Sequence, residues 1–279
     1  MKFISMLKER WKSADSLLCV GLDPQIDRFP DVFRESNLPY FEFCKAVVDA
    51  THESVCAFKP QAAYFSAVGA EHQLERLIAY IKEGYPDIPV ILDAKRGDIG
   101  STAALYAREA YERYKADAVT VNPYLGFESI EPYMNYSDKG IVVLCRTSNP
   151  GSDWLQKNTA DTLPVYERVA HQVHQWNEDE QFVLVTGATY PEELGRVRQI
   201  VGEMPLLVPG IGAQGGNVEA VLNMGLNKES AGLIISSSRE VLYAHESAED
   251  PIDMSKGLLA SKRVAVNTKN VINKIIKNL

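Results

Sequence analysis

The sequence predicts a (β/α)₈ barrel, and three observations carry that prediction. Eight short apolar runs recur along its 279 residues. They are rich in Val, Ile and Leu and do not alternate with polar residues, which is the pattern of parallel strands buried on both faces. The segments between them are mostly of helical character, and every run ends in polar or glycine residues. Eight strand–helix units in about 250 residues is the number that closes a barrel, and the polar run ends then meet on its C-terminal face. A doubly wound sheet is the alternative arrangement of the same units, and eight repeats favour closure.

Taken in order, the chain opens with the amphipathic stretch MKFISMLKERWKSADS. It lacks a long apolar segment and a small-residue cleavage site, so it does not read as a signal peptide. The first strand is LLCVGLD (17–23), ending at Asp23, and the helix PYFEFCKAVVDATHESV (39–55) follows with Phe43, Val47 and Ala50 on one face. VCAFKPQ (55–61) contributes Lys59. The next helix, AEHQLERLIAYIKEGYP, sets Leu74, Leu77, Ile78 and Ile81 in one stripe before Gly84 and Pro86 stop it. VILDAK (90–95) ends in Asp93 and Lys95, AVTVNPY (118–124) in Asn122, and GIVVLCRTS (140–148) in Arg146, Thr147 and Ser148. FVLVTGAT (182–189), LLVPGIG (206–212) and GLIISSS (232–238) complete the eight, the last followed by Arg239. A final amphipathic helix runs over KGLLASKRVAVNTKNVINKIIKNL. With no Pro/Gly/Ser linker and no low-complexity tract, residues 1–279 read as one domain.

Composition narrows the class. Hydrophobic residues make up 46% and charged residues 24%, as in ordinary globular proteins. The net charge of −8 argues against nucleic acid or an anionic membrane as the main partner. A small anionic ligand remains compatible, because local basic residues outweigh the global sign. The four cysteines form no C-x-x-C pair and the five histidines complete no zinc spacing, so no metal site is expected. Cys19, Cys56 and Cys145 lie in apolar runs and read as reduced core thiols. No apolar run reaches 18 residues, so no membrane span is expected and the chain reads as cytoplasmic.

The chemistry concentrates in VILDAKRGDIGSTA (90–103), where a buried strand ends in Asp93, Lys95, Arg96 and Asp98 with Gly97 and Gly100 between them. Asp93 and Lys95 are two apart and share a side of an extended segment. Lys59 and Asp23, from the neighbouring strand ends, reach the same space. An alternating acid and base row is self-consistent in a partly desolvated site, since each charge stabilises its neighbours. A salt-bridge network closing the barrel end would use the same residues.

The seventh run continues as GIGAQGGN, in which Gly210, Gly212 and Gly215 match G-x-G-x-x-G. A dinucleotide fold would put that motif near a ribose-binding acid, and here the next run ends in Ser and Arg. In a barrel, the loops after strands seven and eight bind a phosphate. Backbone N–H groups of the glycines, Gln214 and a bidentate contact from Arg239 would serve it. RTSNPG (146–151) suits recognition of a polar ring or a turn. His171 and His174 share a helix face without an acidic partner, and no Ser or Cys has an evident His partner for nucleophilic hydrolysis.

LDAKRGDIGSTA resembles the D-x-K-x-x-D signature of the orotidine 5′-phosphate decarboxylase family, in the form of its longer bacterial subgroup. The resemblance extends over nearly the whole chain, through GLDP, FKPQAAYF, VNPYLG, PGIGAQGG and SSSR. It implies decarboxylation of orotidine 5′-monophosphate to UMP with no cofactor and no metal. Lys59, Asp93, Lys95 and Asp98 would form the Lys-Asp-Lys-Asp tetrad, with Lys95 protonating C6. Asp23 and Lys59 would hold ribose hydroxyls, Ser148 would face the base, Gln214 and Arg239 the 5′-phosphate, and Asn122 would belong to the substrate site. Asp98 and Thr102 would reach into the site of the other subunit of a homodimer. Ser238 departs from the pattern, since much of the family has Gly before the phosphate arginine.

The charges suit that chemistry. Loss of CO₂ from C6 leaves an sp² electron pair the ring cannot delocalise, and a fixed ammonium beside it is preorganised electrostatic stabilisation. A carboxylate near the departing group would disfavour the ground state. A metal-dependent sugar-phosphate decarboxylase of the same superfamily shares D-x-K-x-x-D but carries an acidic metal ligand where this chain has Lys59. A non-catalytic nucleotide-phosphate-binding barrel would not need Lys95 between two carboxylates.

Overall fold

A computed structural model describes residues 1–160, 162–211, 217–247 and 254–279. Eight parallel strands form the barrel: β1 (Leu18–Leu22), β2 (Ala57–Pro60), β3 (Ile91–Arg96), β4 (Ala118–Val121), β5 (Gly140–Arg146), β6 (Phe182–Thr186), β7 (Leu206–Pro209) and β8 (Leu233–Ser237). Their spatial order is β2-β1-β8-β7-β6-β5-β4-β3. Parallel bridges Phe58↔Val90 and Gln61↔Asp93 bring β2 against β3 and close the ring. Every residue of β1, β2, β4, β6 and β8 is buried, which is why these runs are apolar without alternation.

The outer layer comprises α1 (Phe3–Ser13), α2 (Pro39–Thr51), α3 (Glu71–Gly84), α4 (Gly100–Arg108), α5 (Glu131–Met134), α6 (Val165–Trp176), α7 (Pro191–Val201), α8 (Val218–Gly225) and α9 (Met254–Ile276). The α3 stripe is as the spacing predicts, with Leu74, Leu77, Ile78 and Ile81 fully buried. In α2 the buried face is Phe43, Cys44, Val47, Val48 and Thr51. Ala50 is only half-buried, because at 100° per residue it falls on the edge of that face. The helix also stops at Thr51, and His52–Ser54 form a 3₁₀ turn before β2.

The fourth unit departs from regular strand–helix alternation. After β4 the chain makes 3₁₀ turns at Pro123–Leu125 and Phe127–Ser129 and then only the four-residue α5. Pro123, Gly126 and Pro132 interrupt any longer helix there, Gly126 at φ +89. A two-residue antiparallel pair, Thr159–Ala160 with Leu163–Pro164, also lies between β5 and α6.

The N-terminal end of the barrel is packed shut. Phe3 of α1 lies against Gly140, and its amide donates to Asp138 O at 2.9 Å. Arg10 donates to Val55 O at 2.9 Å and pairs with Asp87 at 2.7 Å. Arg198 gathers four carbonyls at the same end: Gly225 at 2.7 Å, Gly202 at 2.5 Å, Met204 at 2.6 Å and Gly232 at 2.9 Å. The opposite end, where the strands finish, stays open.

Candidate active site

β3 is buried through Asp93 and then emerges at the open end. Its pairing with β4 is irregular there: Leu92 faces Val119 and Arg96 faces Val121. Asp93, Ala94 and Lys95 therefore share one opposite residue, Thr120, in a bulge that re-aims the strand. Lys95 sits at φ +47, a left-handed conformation uncommon outside glycine and enriched where a side chain is held for function. Asp93 Oδ2 accepts from Lys59 Nζ at 2.7 Å and Asp93 Oδ1 from Lys95 Nζ at 2.6 Å. The Thr120 hydroxyl donates to Asp93 Oδ1 at 3.0 Å and accepts from the amides of Ala94 and Lys95 at 2.9 and 2.8 Å.

Burial separates the two lysines. The Lys59 and Asp93 side chains are 7% and 8% exposed, whereas that of Lys95 is 48% exposed. Burial alone would lower the Lys59 amine, but the Asp93 and Asp23 carboxylates outweigh it and hold Lys59 above the ordinary lysine range. Burial likewise pushes Asp93 up, and the Lys59 and Lys95 ammoniums outweigh it, holding Asp93 below the usual carboxylate range. Lys59 and Asp93 are thus a charged pair at neutral pH. Beneath them, burial pushes the Cys19 thiol up to about 12, so it is an inert core thiol.

The trio forms the floor of a cavity of about 550 Å³. Leu144, Val185 and Leu207 give it an apolar side, and the segment from Thr147 to Gln156, including Ser148 and the exposed Trp154, gives it a wall. Ser148 is seated by a close approach: a Cβ on Gly187 would lie 2.7–2.8 Å from its N, Cα and Cβ. Thr189 also donates to its carbonyl at 3.1 Å.

Arg146 organises that wall, a role the sequence left unassigned. Its side chain is wholly buried, stacks 3.7 Å over the Tyr190 ring, and pairs with Glu193 and with Asp153 at 2.5 Å. It also donates to Ser152 and, at 3.3 Å, to Gln156 Oε1. Gln156 in turn accepts from the Thr147 amide at 2.8 Å and donates to its hydroxyl at 2.9 Å.

The remaining expected residues are dispersed. Asp23 lies at the end of β1, near enough to Lys59 to raise its amine. Its carbonyl accepts from Tyr243 Oη at 2.9 Å, and its buried Oδ1 has no hydrogen-bond partner among the described residues. Asp98 is not part of the trio; its Oδ1 accepts from the Ile99 amide at 2.8 Å, just before α4. Thr102 is exposed on α4. Asn122 is exposed, and its Oδ1 caps the following turn by accepting from the Tyr124 amide at 3.0 Å. Arg239 is exposed at the start of a short helix, Arg239–Leu242. Ser238, before it, has no positive φ, and its side chain seats over Gly21, where a Cβ would lie 1.9 Å from Ser238 Oγ. Gln214, with Gly212 and Gly215, lies outside the described residues. The sequence missed Thr120; the signal available was a hydroxyl inside the apolar run AVTV.

A family model described as Orotidine 5′-phosphate decarboxylase / HUMPS family matches residues 16–250. Orotidine 5′-phosphate decarboxylase of Cellvibrio japonicus is 54% identical over 270 residues, spanning 96% of this chain and 98% of that one. The enzyme of the same name from Ralstonia pickettii is 53% identical over 274 residues, with 98% of each chain covered. Among solved structures, Leishmania donovani OMP decarboxylase superposes with a TM-score of 0.82 and 38% identity over 99% of both chains. Leishmania donovani UMP synthase gives a TM-score of 0.82 and 40% identity, over 98% of this chain and 57% of its own.

Proposed function

Because this chain belongs to the orotidine 5′-phosphate decarboxylase / HUMPS family, we propose that it is a carboxy-lyase converting orotidine 5′-monophosphate to UMP in pyrimidine biosynthesis. Relatives more than half identical over nearly their whole length carry that enzyme's name. The observation that carries the reading is Lys95: an exposed ammonium at the floor of a nucleotide-sized cavity, held by a carboxylate that a second, buried lysine also binds.

In the reaction, the bond from C6 to the carboxylate breaks, CO₂ departs, and the electron pair stays on C6. The Lys95 ammonium stabilises that charge and transfers its proton to C6. The neutral amine is then reprotonated from solvent. Asp93 disfavours the substrate carboxylate in the ground state and keeps Lys95 aligned. Lys59 and the Oδ1 of Asp23, without a hydrogen-bond partner among the described residues, suit ribose hydroxyls, Ser148 suits the base, and Asn122 lies at the rim of the same end. Gln214 and Arg239 would take the phosphate, whose remote binding energy offsets the cost of ordering the site.

The same reading makes the chain a single cytoplasmic barrel domain that works as a homodimer. Asp98 and Thr102 would complete the partner subunit's site. In support, Ile99, Leu105, Tyr124, Leu125 and Phe127 are exposed apolar residues around α4 and the turns after β4, the kind of patch that marks an interface. No helix among the described residues is long and apolar enough to cross a membrane.

The rival is a metal-dependent sugar-phosphate decarboxylase. The buried ammonium of Lys59 stands where that class needs an acidic ligand, and it would repel Mg²⁺. One assay separates the two: absorbance loss of orotidine 5′-monophosphate with purified protein in EDTA. Undiminished turnover supports the proposal, and turnover that vanishes in EDTA and returns with Mg²⁺ overturns it.

A further inference from the structure

We propose that Thr120 is a positioning residue for this reaction, its hydroxyl holding Lys95 in its left-handed backbone conformation and fixing the carboxylate that aligns the Lys95 amine. The inference rests on the decarboxylase reading above and adds a residue from outside the charged row.

The bulge creates the need. Three residues of β3 oppose one residue of β4, so the regular exchange of backbone hydrogen bonds fails between Leu92 and Arg96. The amides of Ala94 and Lys95 would be left without backbone acceptors, and a part-buried amide without an acceptor loses stability. Thr120 Oγ1 accepts both, at 2.9 and 2.8 Å.

That double acceptance dictates the direction of the third bond. A hydroxyl has two lone pairs and one proton. Both lone pairs face amides that only donate, so the proton goes to Asp93 Oδ1, 3.0 Å away. Asp93 then receives three donors from three adjacent strands: Lys59 of β2, Lys95 of β3 and Thr120 of β4. Its carboxylate plane cannot rotate without breaking one of them. Thr120 thus grips Lys95 twice, at its backbone directly and at its amine through Asp93. The hydroxyl has no bonding capacity left for a ligand, although the residue lines the cavity. It acts through Lys95 and Asp93, not on the substrate. The φ of +47 at Lys95 is the kind of conformation that persists only where surrounding contacts over-determine it.

Two substitutions separate this role from packing. Thr120→Val keeps the branched shape and removes the hydroxyl. Thr120→Ser keeps the hydroxyl and removes a methyl from a 1% exposed site. We expect Thr120→Val to lower kcat roughly ten- to a hundredfold with KM changed less than about threefold, since misplacement of a reacting group falls on the chemical step. Thr120→Ser should stay within about threefold of wild-type kcat even where it melts lower than the Val variant. Equal losses in both variants, or a Val variant with wild-type kcat, overturn the proposal. If wild-type protein fails to decarboxylate orotidine 5′-monophosphate, the functional reading falls and the positioning role is judged from crystal structures. Departure of Lys95 from its left-handed φ or from the Asp93 contact in Thr120→Val supports it, and an unmoved Lys95 overturns it.

Discussion

Lys95 combines three properties that rarely coincide. Its backbone is left-handed, its amine pairs at 2.6 Å with a buried carboxylate, and its side chain is nearly half exposed to the cavity. A structural salt bridge needs the second alone. Lys59, paired with the same carboxylate, is buried and held in its charged form, so it can supply a fixed positive charge but not readily a proton. The proposed division of labour between the two lysines rests on exposure and not on residue type. In the proposed mechanism Lys95→Ala removes both the proton donor and the charge beside C6. It should lower turnover at least a thousandfold while the circular dichroism spectrum and chromatographic elution stay those of wild type. A purified variant within tenfold of wild type would remove Lys95 from the mechanism.

The barrel's two ends use buried arginines for opposite purposes. At the open end Arg146 draws Glu193, Asp153, Ser152 and Gln156 around its guanidinium, so the segment after β5 becomes a wall of defined shape beside Ser148. At the closed end Arg198, on α7, satisfies carbonyls at the C-terminal ends of α7 and α8 and at the entries to β7 and β8. The Gly202 and Gly225 carbonyls lie at the negative ends of their helix dipoles and have no intrahelical donors. Arg198→Leu leaves the buried Gly225 and Met204 carbonyls without their donor and strips one from Gly202 and Gly232, the latter keeping the Leu206 amide, a loss of about 3–5 kcal/mol by comparison with other broken buried networks. For a chain of this size that corresponds to a Tm lower by roughly 10 °C in calorimetry. kcat at 25 °C should be unchanged, because the N-terminal face of a barrel serves stability and the chemistry lies at the opposite end. A kcat reduced in proportion to the lost stability would show that the two ends are coupled.

Assembly decides whether the tetrad expected from the sequence exists at all. In one subunit only Lys59, Asp93 and Lys95 meet, while Asp98 caps the Ile99 amide just before α4. In the proposed homodimer the same patch serves both chains, as a two-fold interface requires. Mixing tests it. Asp98→Ala and Lys95→Ala, each expected to be inactive alone, are combined and allowed to exchange subunits. A mixed dimer then has one site carrying both lesions and one carrying neither, so activity should return toward half that of wild type per mixed dimer. Exchange verified by mass spectrometry with no returning activity would confine Asp98 to its own chain.

The sequence by itself determined the strands, the stripe of α3 and the meeting of Lys59, Asp93 and Lys95. Strands buried on both faces must be apolar throughout, and charges that end such strands have only the open face of the barrel to occupy. Only the tertiary structure decided the β3 bulge, the left-handed Lys95 and the hydroxyl of Thr120 beneath it, because a register shift between strands leaves no periodicity in either one. It also decided that Arg146 turns inward as the hub of a wall, since the partners that neutralise it lie up to 47 residues further along the chain. Side-chain spacing is local and survives in the sequence. Hydrogen bonds between strands, and burial of a charge among distant acids, come into being only when the ring closes.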